Sequence, residues 1–538
     1  MPLINEKFFK LALKNIAQYG DTDVFPFPVE NLIFYDDPVG AINVLKIIDK
    51  DFATAKERFP PVAVKSISAV GYSGFRWGTQ IDPIWNAYLL SLVLSIGEDI
   101  EAKRVPASKN TVFAYRFEPD FSTGRIFNLK IGWVQFQEYS VVLARKFSYV
   151  LECDISDFYP RIYHHRLENA LKKASSNSLV IQRIKDLLFL IADGVSYGLP
   201  VGGPAARLLS EILLNRIDRL LISDQVTYCR FVDDYHIFAK SREEAYRLLI
   251  NLSELLLINE GLSLQRTKTR IMTSADFLAS SDFAKENKPE NASAEEAMAF
   301  SRIRLRYDPY SPTAEEDYEK LKKELRQFDI VGMLGRELAK SRIDESLTRR
   351  LIAAVRHLPL PTQNQAVSSL IQNLDVLYPI FPAVMILVKG VIQSLNKSTR
   401  QEVFSVIREL VFHQSYITQV PANLSYALRV LAYDESEETE ALLAKLFKSP
   451  LNMMLKRDII LLMGHRGADH WISNCRKQFS VLTQWEKRAF IICSYILEDE
   501  GKHWREGIKK ELWDFDKLVM KWAGDKKNST GKAWRVPF

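Results

Sequence analysis

Apolar residues follow two different rhythms along the chain. Up to about residue 272, short apolar runs, some alternating and some continuous, are interleaved with segments of helical spacing. Beyond Tyr318, apolar residues recur every three or four positions, as in SLTRRLIAAVRHL, QAVSSLIQNLDVL, QEVFSVIRELVFH and ETEALLAKLFK. The first rhythm predicts helices over 41–59 and 83–103 and a strand-rich stretch over 111–150. There TVFAYRF alternates, and WVQFQEYSVVLARKF carries aromatic and β-branched residues. Residues 148–272 mix strand-like and helical segments, as an α+β domain does. The second rhythm predicts helices only. Pro359, Pro361, Pro379, Pro382, Pro421 and Pro450 fall between or at the ends of its runs, where a missing N–H is tolerated.

The polar stretch TSADFLASSDFAKENKPENASAEEA separates the two textures, so the expected division is 1–272, a connecting segment over 273–317, and an all-α region over 318–538. Successive helices of this length resemble a HEAT-like solenoid, although no repeat motif is visible and a plain bundle stays open. With 538 residues, 47% of them hydrophobic, there is material for more than one core. Gly and Pro, 22 each, exclude collagen-like and broadly disordered chains. The four cysteines are scattered without a CxxC, and the first fifteen residues lack a secretory apolar region, so the expected setting is reduced and cytoplasmic. The apolar run 87–96 is too short for a membrane span, and no membrane partner is expected.

A net charge of +6 is too small to announce a polyanionic partner. Locally it is uneven. Residues 101–150 hold eight basic and four acidic groups, with Lys103, Arg104 and Lys109 as candidate nucleic-acid contacts. Residues 501–538 hold ten basic and five acidic groups, with Trp504, Trp513, Trp522 and Trp534 interleaved. Such a tail either stacks on a single strand or packs its rings on helix faces, the second being the more common use.

Three segments carry the chemistry. Ser148–Tyr159 is an apolar strand running into Asp154; Tyr197–Pro204 (YGLPVGGP) is a Gly/Pro loop opening a helix; Thr227–Ala239 (TYCRFVDDYHIFA) reads as a β-hairpin whose turn presents Asp233 and Asp234. Adjacent carboxylates repel unless a cation lies between them. If the Asp154 strand pairs beside the hairpin, three carboxylates suit a pair of divalent cations of the kind that clamp a transferring phosphoryl group.

The order Asp154-x-x-x-Phe-Tyr159, Gly198-Leu-Pro-x-Gly202, Phe231-Val-Asp233-Asp234 resembles reverse transcriptase motifs A, B and C, and Gly261-Leu-Ser-Leu-Gln-Arg-Thr-Lys268 resembles motif D. The resemblance implies an α+β, right-hand polymerase fingers and palm domain followed by the helical region. It implies Asp154, Asp233 and Asp234 as catalytic residues and, with the Ile155 carbonyl, as ligands of two magnesium ions, manganese being the alternative. Tyr159, Gly198, Lys268 and Arg116 would face the nucleotide, Tyr159 as a steric gate against the ribose 2′-hydroxyl. Partners would be dNTPs and a single-stranded template or product. Motif B usually carries Gln at the place of Val201 and Ser at the place of Ala206, so this chain departs from the pattern where a template is read.

With its helical second half, the chain resembles the AbiK-like abortive-infection reverse transcriptases of bacteria. That resemblance implies antiphage defence, homo-oligomers and DNA synthesis primed from a tyrosine without a template, for which Tyr19 and Tyr35 are candidates. Conventional RNA-templated cDNA synthesis is the alternative. A non-catalytic palm scaffold is the other class of reading, and an intact acid triad argues against it.

Overall fold

The computed structural model describes residues 3–280, 296–297, 299–300, 303, 305 and 314–538. Its central element is a four-stranded antiparallel sheet in the order β6-β7-β5-β8, formed by β5 (Tyr149–Asp154), β6 (Tyr228–Phe231), β7 (Asp234–Ala239) and β8 (Arg270–Thr273). Alternation sorts the side chains by face. Leu151, Cys153, Tyr235 and Ile237 pack with Leu252 and Leu256 of helix Arg242–Glu260 in the main core. Val150 and Phe238 join Phe136 and Phe277 in a second, smaller core on the opposite face. Asp154 and Asp234 end the row that begins with Val150 and Phe238, at one end of the two inner strands. Two further hairpins, β1 (Ala63–Val70) with β2 (Gly74–Ile81) and β3 (Phe117–Asp120) with β4 (Arg125–Phe127), lie ahead of it in the chain.

The expected strands within 111–150 are largely replaced. WVQFQEYSVVLA forms a helix, Trp133–Ala144, burying Phe136, Ser140, Val141, Leu143 and Ala144. That three-to-four spacing outweighs the β propensity of its aromatic and branched residues, because the second core needs a helical stripe. TVFAYRF contributes only a bridge from Val112 to Arg230 before Tyr115 turns into the left-handed region at φ 45°. The helix expected over 41–59 breaks at Asp51, which caps Phe52–Arg58 by accepting from the Thr54 N–H. The one over 83–103 breaks at Gly97, where a Cβ would come within 2.4 Å of the Phe117 ring.

Residue 273 does not open the connecting segment: Thr273 pairs with Tyr149, and the helix Ser274–Ser280 buries Phe277 against the His236 ring. Residues 281–295 lie outside the described residues.

From Ala314 onward the regular structure is helical. Helix Phe381–Val391 packs on Pro421–Leu431, that one on Met453–His465, then Gln484–Cys493 and finally Asp514–Thr530. This half is fused to the first by a continuous core and by buried charges. Arg488 bridges Asp82 and Asp516, Trp485 donates its indole N–H to Asp82, and Tyr72 donates to the Val376 carbonyl. The tail tryptophans pack. Trp513 stacks on Phe59, Trp522 donates to Asp36, Trp504 meets Phe479 and Phe490 edge-on, and Trp534 meets Tyr495. Of the tail's cations, Lys521 and Lys526 pair with Asp37 and Asp36. No described helix is long and apolar enough to cross a membrane, and the four cysteines are buried and unpaired.

Candidate active site

Register brings the acids together. Asp154, the last residue of β5, is the antiparallel partner of Asp234, the first of β7. Val232 and Asp233 make the two-residue turn between β6 and β7, so the turn carries one of the acids and the strand the other. Carboxylate oxygens of Asp154, Asp233 and Asp234 lie within 4.8 Å of one another. Burial, then the charges of Asp154 and Asp234, push the Asp233 carboxyl up to about 7; burial and Asp154 push Asp234 up to about 6. Such a cluster gives up its protons to a cation, and three carboxylates open on one side fit a divalent ion.

The third wall is the segment after helix 242–260. Gly261 ends that helix in the left-handed conformation (φ 69°). Ser263 and Gln265 then bond to the end of β5: the Gln265 N–H donates to the Asp154 carbonyl (2.7 Å) and the Ser156 N–H to that of Ser263 (2.8 Å). This places the Lys268 ammonium 3.0 Å from Asp154 Oδ2. Partial burial works against its charge, but the Asp154 hydrogen bond and the neighbouring acids raise its pKa. Ile155 is buried, donates its N–H to the Asp233 carbonyl and bridges Leu264.

Tyr159 follows in the short helix Phe158–Arg161, half-buried, hydrogen-bonded to Ser210 and within electrostatic reach of Tyr115 and Asp233. The Gly/Pro loop is latched to it: Leu199 N–H donates to the Tyr159 carbonyl and Gly198 N–H to that of Ile162, both at 2.8 Å. Gly198 has φ 97°, which a side chain would strain. The loop's far end rests on the N-terminal segment, where a Cβ on Gly202 would reach Thr22 at 2.2 Å.

Two other expected contacts, Arg116 and Arg104, are turned into the interior. Arg116 is 3% exposed; its guanidinium donates to the Val105 and Val112 carbonyls and to Glu101, leaving it a clamp in the interior instead of a triphosphate contact. Arg104, 2% exposed, donates to Glu101, Glu211 and the Ala114 and Tyr115 carbonyls, so it has no face for nucleic acid. Lys103 and Lys109 are exposed. Tyr19 and Tyr35 are exposed too, on the helices Glu6–Tyr19 and Glu30–Asp36.

What the motifs do not reveal is the support beneath the turn. Arg230 is fully buried, pairs with Glu211 and Asp218, and donates to the Val232 carbonyl at 2.7 Å. Val232 has φ 56°, a conformation a β-branched residue adopts only under constraint. The signal was an arginine inside an apolar strand and two acids seven positions apart on an apolar helix.

A palm-like sheet that gathers three carboxylates and a lysine defines a nucleotidyl-transferring enzyme. Residues 103–292 match the family model described as reverse transcriptase (RNA-dependent DNA polymerase). The protein is an enzyme of the RNA-directed DNA polymerase type, a nucleotidyltransferase. No curated protein matches the chain. Among solved structures, it is similar to apo telomerase from Candida tropicalis (TM-score 0.32, 9% identity, 68% of each chain). It is also similar to telomerase from Candida albicans in complex with a TWJ fragment of telomeric RNA (TM-score 0.30, 10% identity, 66% of this chain and 64% of that one).

Proposed function

We propose that the protein extends a primer hydroxyl with dNTPs at the Asp154, Asp233 and Asp234 cluster, releasing pyrophosphate. The observation that carries this is the convergence of the three carboxylates, with Lys268 on their rim. Magnesium or manganese bound there supplies the positive charge that stabilises the transferring phosphoryl group. Asp154 and Asp233 hold the cations from two chain segments, and Asp234, hydrogen-bonded to Asp154, completes the cluster. Lys268 stands ready to neutralise, and give a proton to, the departing pyrophosphate. The Tyr159 ring, its hydroxyl bonded to Ser210 and its backbone carbonyl accepting from the Leu199 N–H, excludes a ribose 2′-hydroxyl and so selects deoxynucleotides.

Val201 and Ala206, standing where polar contacts to a template are usual, favour synthesis without a template. Priming from a protein tyrosine, homo-oligomers, a HEAT-like second half and a bacterial defence role complete this reading; they rest on the motif resemblance and the helical C-terminal region. Tyr19 and Tyr35 are the candidate primers, both with exposed rings.

The test is incubation of the full chain with magnesium and each labelled dNTP, with and without RNA template and primer. Label that survives denaturation of the protein and disappears with protease supports protein priming. Incorporation only with added RNA restores the conventional RNA-templated reading, and no incorporation under any condition overturns the polymerase assignment.

A further inference from the structure

Away from the acid cluster, four helices meet around a pocket of about 300 Å³: Gly97–Lys103, His164–Ala174, Pro204–Ser223 and Arg242–Glu260. Its wall carries five cations, Lys103, Arg166, Lys173, Arg216 and Arg219, against a single acid, Glu260. None of the five is within 4.0 Å of a carboxylate among the described residues, whereas the more deeply buried cations Arg104, Arg230, Arg457 and Arg488 each have at least one carboxylate partner. Two are nevertheless held in place: Arg166 donates to the Ile258 carbonyl and Arg219 to that of Lys103. Glu260 is 5% exposed, lines the pocket and has no hydrogen-bond partner among the described residues. Burial pushes its carboxyl up to about 7 despite Arg166, Arg216 and Lys173 nearby. The site therefore concentrates positive charge over an apolar floor that includes Ile212 and Leu213.

Five cations drawn from three helices, with Glu260 of a fourth as their one acid, repel one another, and an anion that binds among them relieves that repulsion. Two of them, Arg216 and Arg219, lie on the face of helix 204–223 adjoining the one whose Glu211 and Asp218 hold Arg230. The pocket is thus rigidly connected to the active-site turn without being part of it. We infer that this pocket binds the phosphodiester backbone of a single polynucleotide strand, as a second nucleic-acid site outside the catalytic cleft. Successive phosphates would meet the cations, and a sugar or base face would lie on the apolar floor. The inference rests on the polymerase reading only in taking that strand to be the enzyme's own template or product.

The experiment measures binding of a fluorescein-labelled oligothymidylate to the full chain by anisotropy, in chelator and without dNTP, over a range of salt. K173A/R216A, whose side chains make no structural hydrogen bond, is expected to weaken binding at least tenfold. It should also lower the slope of log affinity against log salt by about 1.4, two contacts at ~0.7 each. E260Q is expected to tighten binding several-fold, while dNTP incorporation by K173A/R216A at saturating strand stays at the wild-type rate. Unchanged affinity and slope in K173A/R216A would overturn the assignment. So would a loss seen only with inorganic tripolyphosphate as the probe, which would mark a small-ligand site. Because binding is read without catalysis, failure of the polymerase assignment, seen as no incorporation by the wild type, remains a separate result.

Discussion

The buried guanidinium of Arg230 donates to the carbonyl of Val232, the residue immediately before Asp233, at 2.7 Å. That bond ties the acid-bearing turn, with its unfavourable backbone conformation, to a charge network in the core. Glu211 and Asp218 hold the guanidinium from the other side, Arg104 shares Glu211, and Arg116 and Arg104 share Glu101. The position of Asp233 is thus set by buried residues outside the acid cluster.

Arg230→Met leaves two buried carboxylates without their cation, and the expected loss is about 3–5 kcal/mol of stability. Arg230→Lys keeps the charge but cannot reach two carboxylates and a carbonyl together. It is expected to fold, with kcat for nucleotide incorporation at least tenfold lower and KM for dNTP little changed. Denaturant unfolding and steady-state kinetics check the two variants; wild-type kcat in Arg230→Lys would rule out the positioning role.

Tyr159→Ala opens the space beside the nucleotide sugar. The ratio of rNTP to dNTP incorporation is expected to rise at least tenfold, whereas Tyr159→Phe, which loses only the Ser210 hydrogen bond, keeps wild-type selectivity. Competition between the two nucleotides in a single reaction reads this directly, and an unaltered ratio in Tyr159→Ala removes the gate.

The two halves are expected to unfold together. Arg488 is buried between Asp82 of the first half and Asp516 of the second. Arg488→Met is expected to cost about 3–5 kcal/mol, because Asp82 is then buried without a cation and keeps only the Trp485 indole N–H. Calorimetry should show one transition in both proteins, shifted down in the variant; two separated transitions would mean that the shared core is not cooperative.

Glu260 gives a pH signature. Its folded-state pKa of about 7 lies above the ordinary 4.5, because burial outweighs the nearby Arg166, Arg216 and Lys173. A raised carboxyl pKa favours the folded state most at low pH, and that contribution is lost as pH rises from about 4.5 through 7. Glu260→Gln should therefore match the wild type near pH 4.5 and exceed it at pH 8, by on the order of 1–3 kcal/mol. Urea unfolding of both proteins across this range is the check, and parallel curves would show that Glu260 titrates normally.

The sequence was most informative where local pattern and chemistry coincide. The β5 strand ending at Asp154, the 227–239 hairpin and the helix from Pro204 are all visible in the chain, and so is the all-helical texture after Tyr318. Lys268 could be placed only through the motif, since the pairing of 263–265 with the end of β5 is a long-range contact. The helix 133–144 was hidden because aromatic and branched residues suit a strand as well as a helical stripe, and only the second core decides between them. Arg104 and Arg116 looked like solvent-facing cations because nothing local records that Glu211 and Glu101 will meet them. The tail tryptophans show the same limit, since their partners, Phe59 and Asp36, lie more than 400 residues away.

The most direct measurement is single-turnover incorporation of one labelled dNTP by the wild type, Asp154→Asn and Asp233→Asn, in magnesium and in manganese. Circular dichroism and thermal midpoints verify that all three are folded. The wild type should incorporate label only with a divalent cation present, and each variant should fall at least a thousandfold. Incorporation by a folded Asp233→Asn at the wild-type rate, or by the wild type in chelator, would contradict catalysis at this cluster.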